Sequence, residues 1–150
     1  MTRPAELYIL YFLLLMLSLN ALVGGGALIL DPQGSLMDLN PDWLQNTPFN
    51  SYLVPGLLLF TFIGLLPLFA LISLLFRPNW HWANVLNIFA DKYWGWTYSL
   101  FTGIILITWI IVQEMLTHYF LLHTVFIIMG ILIILLTLLP RVQKYYSQHH

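Results

Sequence analysis

Residues 94–139 read WGWTYSLFTGIILITWIIVQEMLTHYFLLHTVFIIMGILIILLTLL, an apolar stretch interrupted near its middle by Gln113, Glu114, Thr117, His118 and His123. A single α-helix over this stretch would be about 69 Å long at about 1.5 Å per residue, more than twice the thickness of a bilayer's hydrocarbon core, which is about 30 Å. A reversal at the polar residues is therefore required, although no Gly or Pro marks it. The stretch reads as two antiparallel neighbouring spans, over about 94–116 and 119–139.

Working outward, two further runs have the length to cross a bilayer, about 5–30 and 53–76. The first has the outline of a secretory signal, with Arg3 ahead of an apolar stretch that leads to Gly24, Gly25, Gly26 and Ala27. Its apolar length exceeds the roughly 7–15 residues of a signal core, so it reads as an uncleaved span. Composition agrees: 60% of the 150 residues are hydrophobic and 7% charged, against roughly 25% charged in soluble domains. The expected fold class is all-α: a polytopic membrane protein, one antiparallel four-helix transmembrane bundle occupying residues 1–150 as a single domain.

Arg3 precedes the first span, Arg77 and Lys92 lie between the second and third, and Arg141 and Lys144 follow the fourth. The 31–52 connection carries Asp31, Asp38 and Asp42 and no Lys or Arg. By the positive-inside rule both termini are expected in the cytoplasm and loop 31–52 on the outer side. Trp43, Trp80, Trp82, Trp94 and Trp96 fall at span ends or in connections, where the ring is expected at headgroup level; only Trp109 lies deep inside a span. The net charge of -1 excludes a phosphate-neutralising nucleic-acid partner, and the absence of cysteine excludes thiolate chemistry and Cys-ligated metals.

The connections carry their own signals. Asp31-Pro32-Gln33-Gly34 is a turn sequence, and Asn40-Pro41-Asp42-Trp43-Leu44 predicts a helical turn with Asn40 as cap and Pro41 first inside it. Apolar Leu36, Met37, Leu39 and Phe49 suit a loop lying on the bilayer or over the bundle mouth. Between spans two and three, Trp82, Val85, Leu86, Phe89 and Tyr93 share one helical arc, with His81, Asn84, Asn87, Asp91 and Lys92 on the other. That pattern predicts a short amphipathic helix in the interface.

Small residues mark close helix approach in membranes, which nominates Gly24, Gly25, Gly26, Gly56, Gly64, Gly95 and Gly103 as seam residues. Pro67, mid-span, is expected to kink the second helix. Asn20, an amide deep in span one, is expected to find an inter-helix partner or to line a polar pathway. Gln113, Glu114, His118 and His123 form the one cluster with reactive potential. A carboxylate with two imidazoles is the chemistry of a divalent metal site, a proton relay or a general acid-base pair. Against this stands a hydrated, hydrogen-bonded helix end, since the reversal separates Glu114 from His118. No histidines face one another across the core, so haem is not expected, and no cofactor is predicted.

The run Gly24-Gly25-Gly26-Ala27-Leu28-Ile29-Leu30-Asp31-Pro32-Gln33-Gly34, followed by Thr47-Pro48-Phe49-Asn50-Ser51-Tyr52-Leu53-Val54-Pro55-Gly56, resembles a group of small bacterial four-span inner-membrane proteins of unassigned activity. Their pattern has a Gly-Gly pair, an Asp-Pro-Ser-Gly turn and a Ser-Pro-Phe-x-Asp-Tyr-Leu-Ile-Pro-Gly run. Gln33 replaces the pattern's first Ser and Ser51 its later Asp. The resemblance covers roughly the first 60 residues by motif and implies a bacterial inner-membrane location; it brings no activity.

Scarce intramembrane polarity favours an accessory or structural subunit, or a homo-oligomeric binding module, partnered by the bilayer and by other membrane subunits or its own copies. A transporter or channel component using Asn20, Gln113 and Glu114 is the second reading. The third is an enzyme acting on a lipid-like substrate at the outer face, with Glu114, His118 and Asp31 as catalytic candidates.

Overall fold

Pro4 presents extended backbone before the first helix, and Pro32 disfavours helical geometry at Asp31, so α1 runs uninterrupted over Ala5–Leu30. A computed structural model of the chain describes residues 2–45, 47–116 and 121–148. Span two comprises α2 (Leu53–Leu58), a π-helical segment (Leu59–Leu65) and α3 (Leu66–Phe76). Span three is α4 (Trp94–Leu116), span four is α5 (Leu121–Leu138), and a short α6 (Pro140–Tyr145) follows. Four of these helical units are long and apolar enough to cross a membrane. The reversal between spans three and four lies outside the described residues.

The π segment explains how Pro67 is tolerated. Proline lacks an N–H and its ring crowds the carbonyl four residues back, here that of Ile63. The Leu66 amide donates instead to Thr61 O, five residues back, so the turn ahead of Pro67 is widened. The expected kink thus takes the form of a π-helical stretch.

Span one packs on span two, span two on span three, span three on span four, and span four on span one, which closes a four-helix bundle. Leu7, Leu10, Leu14, Leu17 and Ala21 recur at helical spacing on α1 and are buried against Ala70 and Leu74 of α3, Leu106 of α4 and Ile133 of α5. Spans three and four run antiparallel: Gly103 faces Gly130, and the Ser99 and Thr137 hydroxyls are 2.8 Å apart.

Trp94 and Trp96 stand at the start of span three, the span end expected, and both are buried: Trp94 Nε1 donates to Pro78 O (3.2 Å) and Trp96 Nε1 to Thr137 O (2.7 Å). One expectation changes. The helix between spans two and three is shorter than the pattern suggests, a 3-10 segment over His81–Leu86, with Phe89 and Tyr93 of the expected arc beyond it. Asn87 ends it, its side-chain Oδ1 accepting from the Phe89 backbone amide and its Nδ2 donating to Lys92 O. Trp82, Val85 and Leu86 are largely exposed, Trp82 stacking on Phe69 of α3, and Ala83 is the buried residue.

The terminal end is closed by α6 and the tail. The Tyr146 hydroxyl lies 2.9 Å from the Tyr11 hydroxyl and donates to Leu74 O, and the Tyr93 amide donates to Tyr146 O. Burial pushes the Tyr146 phenol far above the usual tyrosine range. Arg77 stacks over Tyr93, Tyr145 and Tyr146, and Arg3 donates to Leu75 O.

Candidate functional site

At the opposite end, the 31–52 loop is held by local hydrogen bonds. The Asp31 carboxylate accepts from the Ser35 hydroxyl and from the Leu36 (3.0 Å) and Gln33 (3.3 Å) amides. These bonds, that of Ser35 foremost, hold its carboxyl below the usual 3.8. Gly34 takes φ +82°, a left-handed conformation, and a Cβ there would stand 2.9 Å from the Tyr52 ring. Asn40 Oδ1 accepts from the Asp42 amide at 2.9 Å and caps the 3-10 turn Pro41–Leu44, as the sequence predicts. Tyr52 ties both halves, its hydroxyl donating to Asn40 O and its amide to Pro32 O.

This folding brings Met37, Asp38 and Trp43 of the loop to the rim of a cavity of about 460 Å³, whose walls come from all four spans. The volume lies within the roughly 300–1,000 Å³ of small-molecule sites. Its walls are mainly apolar. Asn20 of α1, Trp109 and Gln113 of α4, His123 of α5 and Asp38 supply the polar groups.

Asn20 does not bond across helices, contrary to the buried-amide expectation. Its side chain is exposed and Nδ2 donates to Met16 O of its own helix at 2.8 Å, while the residue lines the cavity. The local carbonyl wins because it lies one turn back, within reach without any helix approach. Glu114 Oε1 is 3.8 Å from His123 Nδ1, and Gln113 lines the cavity. His118 lies outside the described residues. Among the described residues no three His, Asp or Glu side chains converge as a metal set. Asp31 is occupied in the loop turn and does not line the cavity.

The seam glycines divide by what a Cβ would meet. Gly25 and Gly56 lie at the crossing of α1 and α2, Gly64 against Leu22, Gly95 against Ser73, and Gly103 against Ile134, all closer than a methyl permits. Gly24 and Gly26 have room for one, with nearest neighbours at 3.7 Å and 4.0 Å.

Trp109 and Asp38 were not among the residues nominated from sequence. The one signal for Trp109 was its depth in a span. Its Nε1 is buried and has no hydrogen-bond partner among the described residues. Asp38 stands in the left-handed region (φ +53°) and its carboxylate has no partner among the described residues.

Fold and site together define a multi-pass membrane protein of four apolar helical spans with a partly polar cavity at its loop end. Comparison with family models, with curated proteins and with solved structures finds no match.

Proposed function

We propose that this protein is a membrane-embedded binding module that holds a ligand in the loop-end cavity. The observation that carries this reading is the convergence of Asn20, Gln113 and His123, from three different spans, on one cavity under an ordered loop. Polar groups within a span are unfavourable unless partnered or used, and here they gather at one place. The terminal half of the bundle is filled by Leu7, Leu10, Leu14, Leu74, Trp94 and Tyr146, which favours a blind cavity over a conducting path. The five Lys and Arg residues support an orientation with the terminal end in the cytoplasm and the cavity on the outer side of a bacterial inner membrane, as the resemblance implies.

The test is extraction of the protein in mild detergent and mass spectrometry of co-purifying lipids and small molecules, wild type against Gly24→Leu. Gly24 lines the cavity, and a Cβ there meets only the Leu59 and Met37 side chains, each at 3.7 Å, so the further atoms of a leucine compete with a ligand for the cavity. One species enriched over the bulk membrane in the wild type and lost in the variant is expected. Equal recovery from both would overturn the reading.

A further inference from the structure

The charged residues separate by end of the bundle. Asp31, Asp38, Asp42 and Glu114 lie at the loop end, and Arg3, Arg77, Lys92, Arg141 and Lys144 at the terminal end, accompanied there by Glu6 and Asp91. Both of those carboxylates are engaged: Glu6 pairs with Arg141 at 3.5 Å and Asp91 with Lys92 at 2.7 Å. Arg3, Arg77 and Lys144 are exposed and form no ion pair among the described residues.

Folding gathers two of these cations around one side chain. Arg3 stands just ahead of α1 and Arg77 directly after α3, and both reach Tyr145 of α6. Arg3 Nε donates to the Tyr145 hydroxyl at 3.3 Å; Arg77 lies 5.0 Å from the centre of the same ring and donates to Tyr145 O at 3.1 Å. The neighbouring rings are shared as well, with Arg3 6.0 Å from Tyr11, Arg77 4.9 Å from Tyr146, and the Tyr11 and Tyr146 hydroxyls 2.9 Å apart. Two guanidinium ions held around one tyrosine repel each other, and the ring faces offset only part of that. An anion shared between them offsets the rest.

We infer that Arg3 and Arg77 bind the phosphate of an anionic phospholipid in the leaflet at the terminal end. This site is separate from the loop-end cavity and stands or falls without it. A guanidinium presents several N–H donors in a planar fork that suits phosphate oxygens, and those not used on Tyr145 and Leu75 O remain for a ligand. Depth selects the source. Phe76, the last residue of span two, is exposed, and Arg77 follows it, so the apolar surface that meets acyl chains ends where the guanidinium begins. That is the level at which a lipid phosphate lies. A zwitterionic head would bring a further cation to a place that already holds two, which favours a head of net negative charge.

The test is native mass spectrometry of the purified full chain in a neutral detergent, titrated with dioleoyl phosphatidylglycerol, dioleoyl phosphatidylcholine and soluble glycerol 3-phosphate. One tightly held phosphatidylglycerol per chain is expected, with the other two probes weaker. Arg3→Gln and Arg77→Gln should each weaken phosphatidylglycerol binding roughly fivefold, the worth of one basic side chain at an anionic interface. Arg141→Gln removes the same charge from the same end, but from a cation already paired with Glu6, and should leave that affinity nearly unchanged. Ligand-free thermal midpoints show which variants fold, and the two arginines are replaced separately so that either one decides the question. An arginine that only clamps the tail would shift the midpoint and leave the lipid affinity alone.

Equal affinity for phosphatidylglycerol and phosphatidylcholine would overturn the anionic class. Glycerol 3-phosphate binding as tightly as phosphatidylglycerol would overturn the lipid as the source. A loss in Arg141→Gln as large as in Arg3→Gln would mean a diffuse field with no site, and unchanged binding in a folded Arg3→Gln or Arg77→Gln would remove that arginine from it; either result overturns the inference.

Discussion

A Cβ built on Gly25 would stand 2.7 Å from the Phe60 backbone nitrogen and 2.9 Å from Gly56 O, main-chain atoms that no rotamer change can move aside. Gly25→Ala should therefore lower stability by about 1–3 kcal/mol, the range for overpacking. Gly26→Ala meets only the Phe60 ring edge at 4.0 Å and should be neutral or gain up to about 1 kcal/mol of helix propensity. Thermal unfolding of both variants in one detergent compares them, and equal midpoints would contradict the packing described. Asp31 makes a pH prediction. Its folded-state carboxyl titrates below 3.8, so its contribution to loop order is complete above the unfolded value and is lost as pH falls through the lower folded one. Amide exchange at Leu36 should speed up over that acid window in the wild type and show no such step in Asp31→Asn.

At the scale of elements, the terminal clamp and the widened turn ahead of Pro67 are the two parts that departures from regular helix create. Tyr146 is wholly buried and its hydroxyl engages both Tyr11 and Leu74 O. Tyr146→Phe leaves those groups short of a partner in an apolar setting, and should cost about 1–3 kcal/mol in a chemical unfolding titration. A change below about 0.5 kcal/mol would mean that α6 rests on the bundle without holding it. Neither part was legible in advance. The tail after Leu139 is short and polar, and nothing in its sequence says that Tyr146 turns back beneath Leu74. The widened turn is one of two ways of sparing Pro67 its clash, and a proline in a span does not by itself say which is taken.

For the whole molecule, orientation is open to a clean experiment because the chain has no cysteine. Single cysteines at exposed Asp42 and Lys144 should behave oppositely toward a membrane-impermeant maleimide. Asp42→Cys should label in intact cells and Lys144→Cys only after permeabilisation; the reverse pattern would invert the proposed topology. The bundle order also decides which residues meet. Asn20, Gln113 and His123 were separate candidates on three helices, and it is the closing of span four on span one that sets them around one cavity.

Hydropathy by itself determined the number of spans and most of their limits, with α1 over 5–30 and α4 over 94–116. The reason is that backbone polar groups can enter an apolar medium only as helix, so a long apolar run has one available structure. Turn chemistry was equally local, and the Gly34 turn and the Asn40 cap follow from residues a few positions apart. The rotation of each helix was another matter. Spans that are apolar on every side carry no amphipathic stripe to say which face turns inward, so periodicity could not turn Trp94 and Trp96 into the core or Asn20 toward a cavity. Only tertiary packing decided that, through carbonyls such as Pro78 O and Thr137 O that accept from indoles far away in the chain.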